Sequence, residues 1–129
     1  MLYCHRKGVV HRDVKLDNIL LDHQGQLKLC DFGVSKAVKK GEILKDQCGT
    51  PAYIAPEVLR NNGYDGKMSD AWSCGVVLYA MLYGTVPFKG ADMAELHSLI
   101  KQGRYKLRDD ASPMAKSLIK EILEVDPRK

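Results

Sequence analysis

Four polar side chains near the start of the chain have the types that bind a metal ion and a phosphate group. Asp13, Lys15 and Asn18 lie within six positions, and Asp31 follows Asn18 by thirteen residues. Carboxylate and amide oxygens are donors that Mg²⁺ accepts alongside phosphate oxygens. Lys15 would add a fixed positive charge, which stabilises a phosphoryl group during its transfer. The spacing indicates metal-assisted phosphoryl transfer, although each residue alone is also typical of a turn or of the surface.

A predicted β hairpin follows this cluster and could hold it rigidly. Residues 19–21 and 27–30 are short β-prone runs, and residues 22–26 between them are turn-like. Asp31 comes directly after the second run. Residues 33–51, by contrast, have no sustained apolar period and hold glycines and several lysines, so we predict a long loop there.

The chain is predicted to open on a helix end and to become helical in its second half. Residues 1–8 have the character of the last turns of a helix that Gly8 ends. Ser69 is a candidate cap for a helix whose apolar body is residues 71–83. That body is too short to cross a bilayer, so we expect a buried core helix.

Two more helices are predicted near the end of the chain. Asp92 and Glu95 have the spacing of a capping box, for a helix that ends before Gly103. Ser112 is a candidate N-cap and is followed by proline at the first helical position. The helix that begins after Ser112 carries an apolar stripe that we expect to pack in the core: Ala115, Leu118, Ile119, Ile122 and Leu123.

Composition narrows the function classes. The chain has 129 residues, 45% of them hydrophobic, which suits one globular domain or part of one. Its 20 Lys and Arg against 16 Asp and Glu form no polybasic block, so we expect neither nucleic-acid binding nor membrane insertion. The cysteines form no CxxC pair, which disfavours zinc binding. Reduced thiols are expected in an intracellular protein, cytoplasmic or nuclear.

The polar cluster is the first of several motifs that together resemble the signature of eukaryotic protein kinases. His-Arg-Asp at residues 11–13 is followed by Asn18, then by Asp-Phe-Gly at 31–33 and Ala-Pro-Glu at 55–57. Two further segments fit the same series: Cys-Gly-Thr-Pro-Ala-Tyr at 48–53 and Asp-Ala-Trp-Ser-Cys-Gly at 70–75. Lys15 and Thr50 resemble the serine/threonine branch, and the whole resembles the calcium/calmodulin-dependent or AMP-activated kinase-like group.

The resemblance implies a role for each polar residue. Asp13 is similar to the catalytic base that orients the acceptor hydroxyl and takes its proton, and Lys15 to the lysine that neutralises the transferring phosphate. Asn18 and Asp31 resemble the Mg²⁺ ligands, with Phe32 and Gly33 completing the second motif. The implied cofactors are ATP and Mg²⁺, and the implied partner is a protein substrate with a Ser or Thr hydroxyl.

Three other residues resemble structural positions of the family. Thr50 is expected to face Asp13 across the cleft. Asp70 resembles the buried aspartate that accepts backbone N–H groups from the catalytic loop, and it would also suit a helix N-terminus. Glu57 resembles a carboxylate that pairs with a late arginine, which the family's usual spacing puts about one residue beyond Lys129. Arg128 is a possible substitute for that arginine, but its spacing does not match the family's.

Asp46 stands where relatives often carry an activating threonine. Kinases with an arginine at the position of Arg12 are often switched on when that threonine is phosphorylated and pairs with the arginine. Residues 37–46 contain no Ser, Thr or Tyr. We hypothesise that Asp46 partly replaces the phosphate, with less charge and fewer acceptor oxygens. The alternative is an ordinary exposed acidic loop residue.

The fold implied by the resemblance is α+β and mainly α. It is the large, C-terminal lobe of a protein-kinase-like fold with a small β hairpin at the catalytic cleft, incomplete at both ends. Residues 1–129 are expected to be a partial kinase domain, because no segment resembles the glycine-rich loop or the lysine of the small lobe.

This polypeptide alone is therefore expected to bind ATP poorly and to be inactive. The alternative function is a non-catalytic module, either pseudokinase-like or a truncated interaction form. The intact Asp13, Lys15, Asn18 and Asp31 favour the enzyme, because a scaffold needs no such combination.

Overall fold

A computed structural model describes residues 1–129, which form five helices and two small sheets. Its α-helices and strands in chain order are α1 Leu2–Arg6, β1 Val9–Val10, β2 Ile19–Leu21, β3 Leu27–Leu29, β4 Lys36–Ala37, α2 Pro56–Leu59, α3 Gly66–Tyr83, α4 Met93–Gln102 and α5 Pro113–Ile122. Single 3₁₀ turns lie at Leu16–Asn18 and Pro51–Tyr53. The predicted class, mainly helical with a small β component, is confirmed.

The predicted hairpin is confirmed, and a second sheet was not predicted. β2 and β3 pair antiparallel, with Ile19 opposite Leu29. β1 and β4 also pair antiparallel, with Val10 opposite Lys36. The prediction that residues 33–51 form only a loop was therefore wrong over β4. Strands of two residues are too short to show an alternating pattern, and their pairing depends on a partner distant in sequence.

The longest helix, α3, begins earlier than predicted. Asp65 is its N-cap and accepts a hydrogen bond from the backbone N–H of Lys67 at 2.8 Å. Ser69 lies within the helix and is buried, so the prediction that it caps α3 was wrong. The apolar pattern favoured Ser69 because it lies two positions before the apolar body at 71–83. The predicted end at Tyr83 is confirmed, and Gly84 follows with a left-handed φ of 68°.

The hydrophobic core lies around α3, as predicted for a buried helix. Trp72 stacks on Phe88 with ring centroids 5.7 Å apart, and Val76 is fully buried. A Cβ added at Gly75 would lie 2.5 Å from a side-chain carbon of Ile122, so glycine allows α5 to approach α3 closely. None of the helices combines the length and apolar character that a membrane span requires.

The last two helices, α4 and α5, begin directly after their predicted N-cap residues. Asp92 accepts from the backbone N–H of Glu95 at 2.8 Å, and α4 ends at Gln102, followed by Gly103 with a left-handed φ of 62°. Ser112 accepts from the backbone N–H of Ala115 at 3.2 Å. The apolar stripe of α5 is narrower than predicted: Ile119 is fully buried, but Leu118 is 47% exposed.

Candidate active site

Asp13, Lys15 and Thr50 form a compact triangle of polar side chains. The hydroxyl of Thr50 donates to Oδ1 of Asp13 at 2.7 Å. The Lys15 ammonium donates to Thr50 Oγ1 at 2.8 Å and lies 3.3 Å from Asp13 Oδ2. The structure therefore brings together three residues that span 37 positions of sequence, and both carboxylate oxygens of Asp13 face a donor.

These contacts keep the Asp13 carboxyl in its ionised form. Burial alone would raise the pKa of Asp13, but the hydrogen bonds from Thr50 and Lys15 outweigh burial and lower it. Asp13 is therefore an anion at neutral pH and a weak base. Such a group orients a neighbouring hydroxyl well, and it accepts the proton only when that hydroxyl becomes strongly acidic.

Asn18 and Asp31 lie at the open end of the β2–β3 hairpin. Asn18 is buried and donates its Nδ2–H to the backbone oxygen of Asp13 at 2.9 Å. Its own backbone oxygen accepts from the N–H of Cys30 at 2.9 Å, which fixes the register immediately before Asp31. Asp31 itself is exposed and has a left-handed φ of 60°.

The donor set at this end of the hairpin suits Mg²⁺ bound together with phosphates. The amide nitrogen of Asn18 donates to Asp13, whereas the amide oxygen Oδ1 of Asn18 makes no hydrogen bond within the chain. The backbone N–H of Gly33 donates to Asp31 Oδ1 at 3.3 Å, and Oδ2 is not engaged. No group of three His, Cys, Asp or Glu side chains could hold a metal by itself. One carboxylate and one amide oxygen match a cation whose remaining ligands come from substrate and water.

Asp70 fixes the backbone immediately before Asp13. Its Oδ2 accepts from the backbone N–H of His11 and its Oδ1 from that of Arg12, both at 2.8 Å. The imidazole Nε2 of His5 lies 2.8 Å from Oδ2. Sequence analysis assigned no role to His5, and no short-range signal could have shown one, because His5 and Asp70 are 65 positions apart.

His11 connects the first motif to the second. Its Nε2 lies 3.0 Å from the carbonyl of Cys30, and its Nδ1 accepts from the backbone N–H of Asp13 at 3.2 Å. These partners require the neutral tautomer with the proton on Nε2. The ring also contacts Phe32 edge-on, with centroids 4.7 Å apart. His11 therefore packs, fully buried, under the loop that carries Asp13.

Arg12 ties the segment of residues 33–57, called the activation segment below, to the loop that carries Asp13, through Asp46. Arg12 Nη1 donates to Asp46 Oδ2, and Arg12 Nε donates to the carbonyl of Val34 at 2.6 Å. Lys36 lies 3.9 Å from the other carboxylate oxygen. The hydrogen bond from Arg12 lowers the pKa of Asp46. Tyr64, which sequence analysis missed, holds the same segment by donating to the Asp46 carbonyl at 2.9 Å.

Gly49 allows the activation segment to lie against the loop that carries Asp13. Its φ is 108°, a conformation that favours glycine. A Cβ at this position would lie 2.8 Å from the backbone oxygen of Arg12. A larger residue would push Thr50 away from Asp13.

Glu57 lies apart from this cluster. It is partly buried and forms no ion pair, and burial raises the pKa of its carboxyl. Arg128 pairs instead with Asp126, with N–O distances of 3.0 and 3.1 Å, so the suggestion that Arg128 serves Glu57 was wrong. A local pair two residues apart is easier to form than one across the fold. Glu57 and Trp72 line one cavity of about 220 Å³.

Comparison with known proteins places these features in one family. The family profile described as "Protein kinase domain" matches residues 1–129. The chain is 50% identical over 127 residues to CBL-interacting protein kinase 24 of Oryza sativa subsp. japonica, which covers 98% of the chain and 28% of that protein.

Two other relatives show the same pattern of coverage. CBL-interacting serine/threonine-protein kinase 8 of Arabidopsis thaliana is 49% identical over 126 residues, 97% of the chain and 28% of that protein. Serine/threonine protein kinase OSK3 of Oryza sativa subsp. indica is 49% identical over 127 residues, 98% of the chain and 25% of that protein. The chain therefore spans about a quarter of the length of these curated relatives.

Proposed function

The chain belongs to the protein kinase domain family, and on that premise we propose that it carries the catalytic centre of a serine/threonine protein kinase. The reaction is transfer of the γ-phosphoryl group of ATP to a Ser or Thr hydroxyl of a protein, with Mg²⁺. The observation that carries the proposal is the Asp13–Lys15–Thr50 triangle, with Thr50 donating to Asp13 at 2.7 Å. In this proposal the chain is part of the large lobe.

Asp13 orients the hydroxyl that attacks. The substrate oxygen forms a bond to the γ-phosphorus while the bond from that phosphorus to the bridging oxygen of ADP breaks. The hydroxyl proton passes to the Asp13 carboxylate late in the reaction, when the developing bond to phosphorus has acidified it. The lowered pKa of Asp13 suits this order, because the carboxylate is ionised before the substrate arrives.

Lys15 offsets the negative charge of the phosphate groups directly, and Asn18 and Asp31, at the open end of the β2–β3 hairpin, do so by holding Mg²⁺. The Lys15 ammonium, 3.3 Å from Asp13 Oδ2, lies beside the acceptor position and offsets negative charge on the group in transit. Asn18 Oδ1 and the Asp31 carboxylate are the groups that would hold Mg²⁺. When bound, the ion would neutralise negative charge on the phosphate oxygens. The hydrogen bonds from Asn18 to Asp13 and from Cys30 to Asn18 keep the ligands and the base in register.

Asp46 holds the activation segment in place of a phosphate group in this proposal. Arg12 and Lys36 converge on its carboxylate, and Tyr64 holds its backbone. Arg12 is also held by Asp70 through its backbone N–H. The segment that carries Thr50 is therefore ordered by a side chain encoded in the sequence, although an aspartate makes fewer contacts than a phosphothreonine.

The test is a segment exchange with a relative. The 129 residues replace the matching segment of rice CBL-interacting protein kinase 24, and phosphate transfer from labelled ATP to a mixture of Ser- and Thr-containing peptides is measured. We expect the chimera to be active and Asp13→Asn in the chimera to lower kcat by roughly 10³-fold or more. The isolated 129-residue chain is expected to show no useful turnover.

The matched control is Asp17→Asn, an exposed carboxylate four positions from Asp13 with no ion-pair partner. It removes the same charge and is expected to keep turnover near that of the parent chimera. A folded chimera that transfers no phosphate, or one in which Asp13→Asn and the parent behave alike, contradicts the proposal and favours a non-catalytic module.

A further inference from the structure

A surface hollow lies between α1, the first turns of α3 and the residues that follow β4. Its lining includes none of the residues of the Asp13–Lys15–Thr50 triangle. Its volume is about 650 Å³, within the range of about 300–1,000 Å³ typical of ligand sites. Arg6, Lys40 and Lys67 supply its charge, and Leu2, Val38 and Met68 are among its apolar residues. We call this hollow the basic groove.

The charge of the basic groove is of one sign and is not neutralised within the chain. Arg6, Lys40 and Lys67 form no salt bridge, and no Asp or Glu lines the hollow. His5 also borders it, but its ring is engaged with Asp70. Three cations around one concavity repel each other, and an anionic ligand would relieve that repulsion.

The apolar residues restrict the chemistry of such a ligand. Leu2 is 65% exposed and Met68 46% exposed, so two large apolar side chains meet solvent beside the cations. A free phosphate ion or a nucleic-acid backbone would satisfy the charges but would leave these side chains in water. A ligand that carries both carboxylates and an apolar side chain would bury them and pair the cations together.

We infer that the basic groove docks an acidic segment of a partner protein in which at least one large apolar side chain accompanies the carboxylates. The apolar side chain lies against Leu2 and Met68, and the carboxylates pair with Arg6, Lys40 and Lys67. The groove contains none of Asp13, Lys15 and Thr50 and meets their surroundings only through His5, which contacts Asp70; the inference therefore does not depend on the proposed kinase activity.

Binding of a defined probe to the 129-residue chain tests the inference. The probe is a short fluorescein-labelled peptide in which glutamate and leucine alternate, followed by fluorescence anisotropy. We expect saturable binding that weakens as salt is added. Each of Arg6→Glu, Lys40→Glu and Lys67→Glu should weaken binding roughly threefold, and the triple variant at least tenfold. Circular dichroism shows that each variant keeps the helical content of the parent.

The matched control is Lys89→Glu, because Lys89 is an exposed lysine without a salt bridge and outside the groove. It should leave binding unchanged. A peptide with serine in place of leucine should bind at least threefold more weakly, because it cannot cover Leu2 and Met68.

Three results would overturn the inference. The first is that the peptide does not bind, and the second is that Lys89→Glu weakens binding as much as the groove variants do. The third is that the serine peptide binds as tightly as the leucine peptide, which would indicate charge attraction alone. A fourth contrary result concerns phosphatidylcholine vesicles that contain a minor fraction of phosphatidylserine. The inference would be wrong if these vesicles bound the chain through the same three cations and the peptide did not bind. That outcome would assign the groove to a lipid surface.

Discussion

Asp70 and Glu57 are both withdrawn from solvent, but their surroundings are opposite. Asp70 is 1% exposed, and its two oxygens meet the backbone N–H groups of His11 and Arg12 and the ring of His5. Glu57 is partly buried and has no cation partner, and burial raises the pKa of its carboxyl. The indole N–H of Trp72, in the same cavity as Glu57, is buried without an acceptor.

The difference shows what stabilises a buried charge in this molecule. Burial by itself disfavours a carboxylate, whereas hydrogen bonds to its charged form compensate the loss of water. Around Asp70 those bonds come from the loop that carries Asp13, so the carboxylate and the backbone of that loop stabilise each other. Around Glu57 a backbone hydrogen bond and the charge of Arg60 offset the burial penalty only in part, and the pKa of its carboxyl stays raised. The region of Asp70 is therefore preorganised, and the region of Glu57 is strained electrostatically.

The largest expected effect on stability comes from breaking the Asp70 network. Asp70→Asn keeps the size of the side chain but replaces one acceptor oxygen with a donor that faces backbone N–H groups. We expect the free energy of unfolding to fall by about 2–4 kcal/mol, because buried donors lose their partners. Urea unfolding of the 129-residue chain, followed by circular dichroism, measures the change. A loss below about 0.5 kcal/mol would show that the network adds little.

Asp46 offers an intermediate case, since it is exposed but contacts Arg12 and Lys36. Asp46→Ala should release the segment that carries Thr50 and lower turnover of the chimera several-fold, with little change in stability because exposed ion pairs contribute about 0–1 kcal/mol. Asp46→Glu, which keeps the charge, should retain more activity. Unchanged turnover of Asp46→Ala would assign Asp46 to the ordinary exposed acidic residues.

The smallest expected effect comes from Glu57→Gln, the matched counterpart of the Asp70 substitution. Because the pKa of Glu57 is raised in the folded chain, the folded state binds the proton more tightly than the unfolded state. The parent chain therefore loses stability relative to Glu57→Gln as pH rises through that pKa, and the two converge at acid pH.

Urea unfolding of the parent chain and of Glu57→Gln between acid and neutral pH measures this difference. At neutral pH we expect Glu57→Gln to be equal to the parent or more stable by up to about 1 kcal/mol. If Glu57→Gln were instead as destabilising as Asp70→Asn, the contrast between the two regions would be wrong.

Local features of the fold were predictable because a few adjacent residues determine them. The β2–β3 hairpin follows from two short β-prone runs around a turn. The ends of α4 follow from Asp92 and Gly103, whose capping contacts involve neighbours within a few positions. The start of α3 was misplaced by four residues, because the prediction placed the cap at Ser69, beside the apolar body, whereas Asp65 is the N-cap in the structure.

Contacts between distant residues were not predictable from local pattern. The β1–β4 pair and the bond of His5 to Asp70 depend on which groups the folded chain brings within reach. The placement of Thr50 against Asp13 was expected, but from resemblance to a family and not from physics of the sequence alone.

The amino-acid sequence by itself determined the chemical inventory: a base, a cation and two oxygen donors in a fixed order, with the turns and caps that adjacent residues encode. Only the tertiary structure decided which of these groups meet. Thr50 reaches Asp13 across 37 positions, and Asp70 reaches the loop before Asp13 across 58 and 59. The physical reason is that hydrogen bonds act over about 3 Å, so their partners depend on the path of the whole chain.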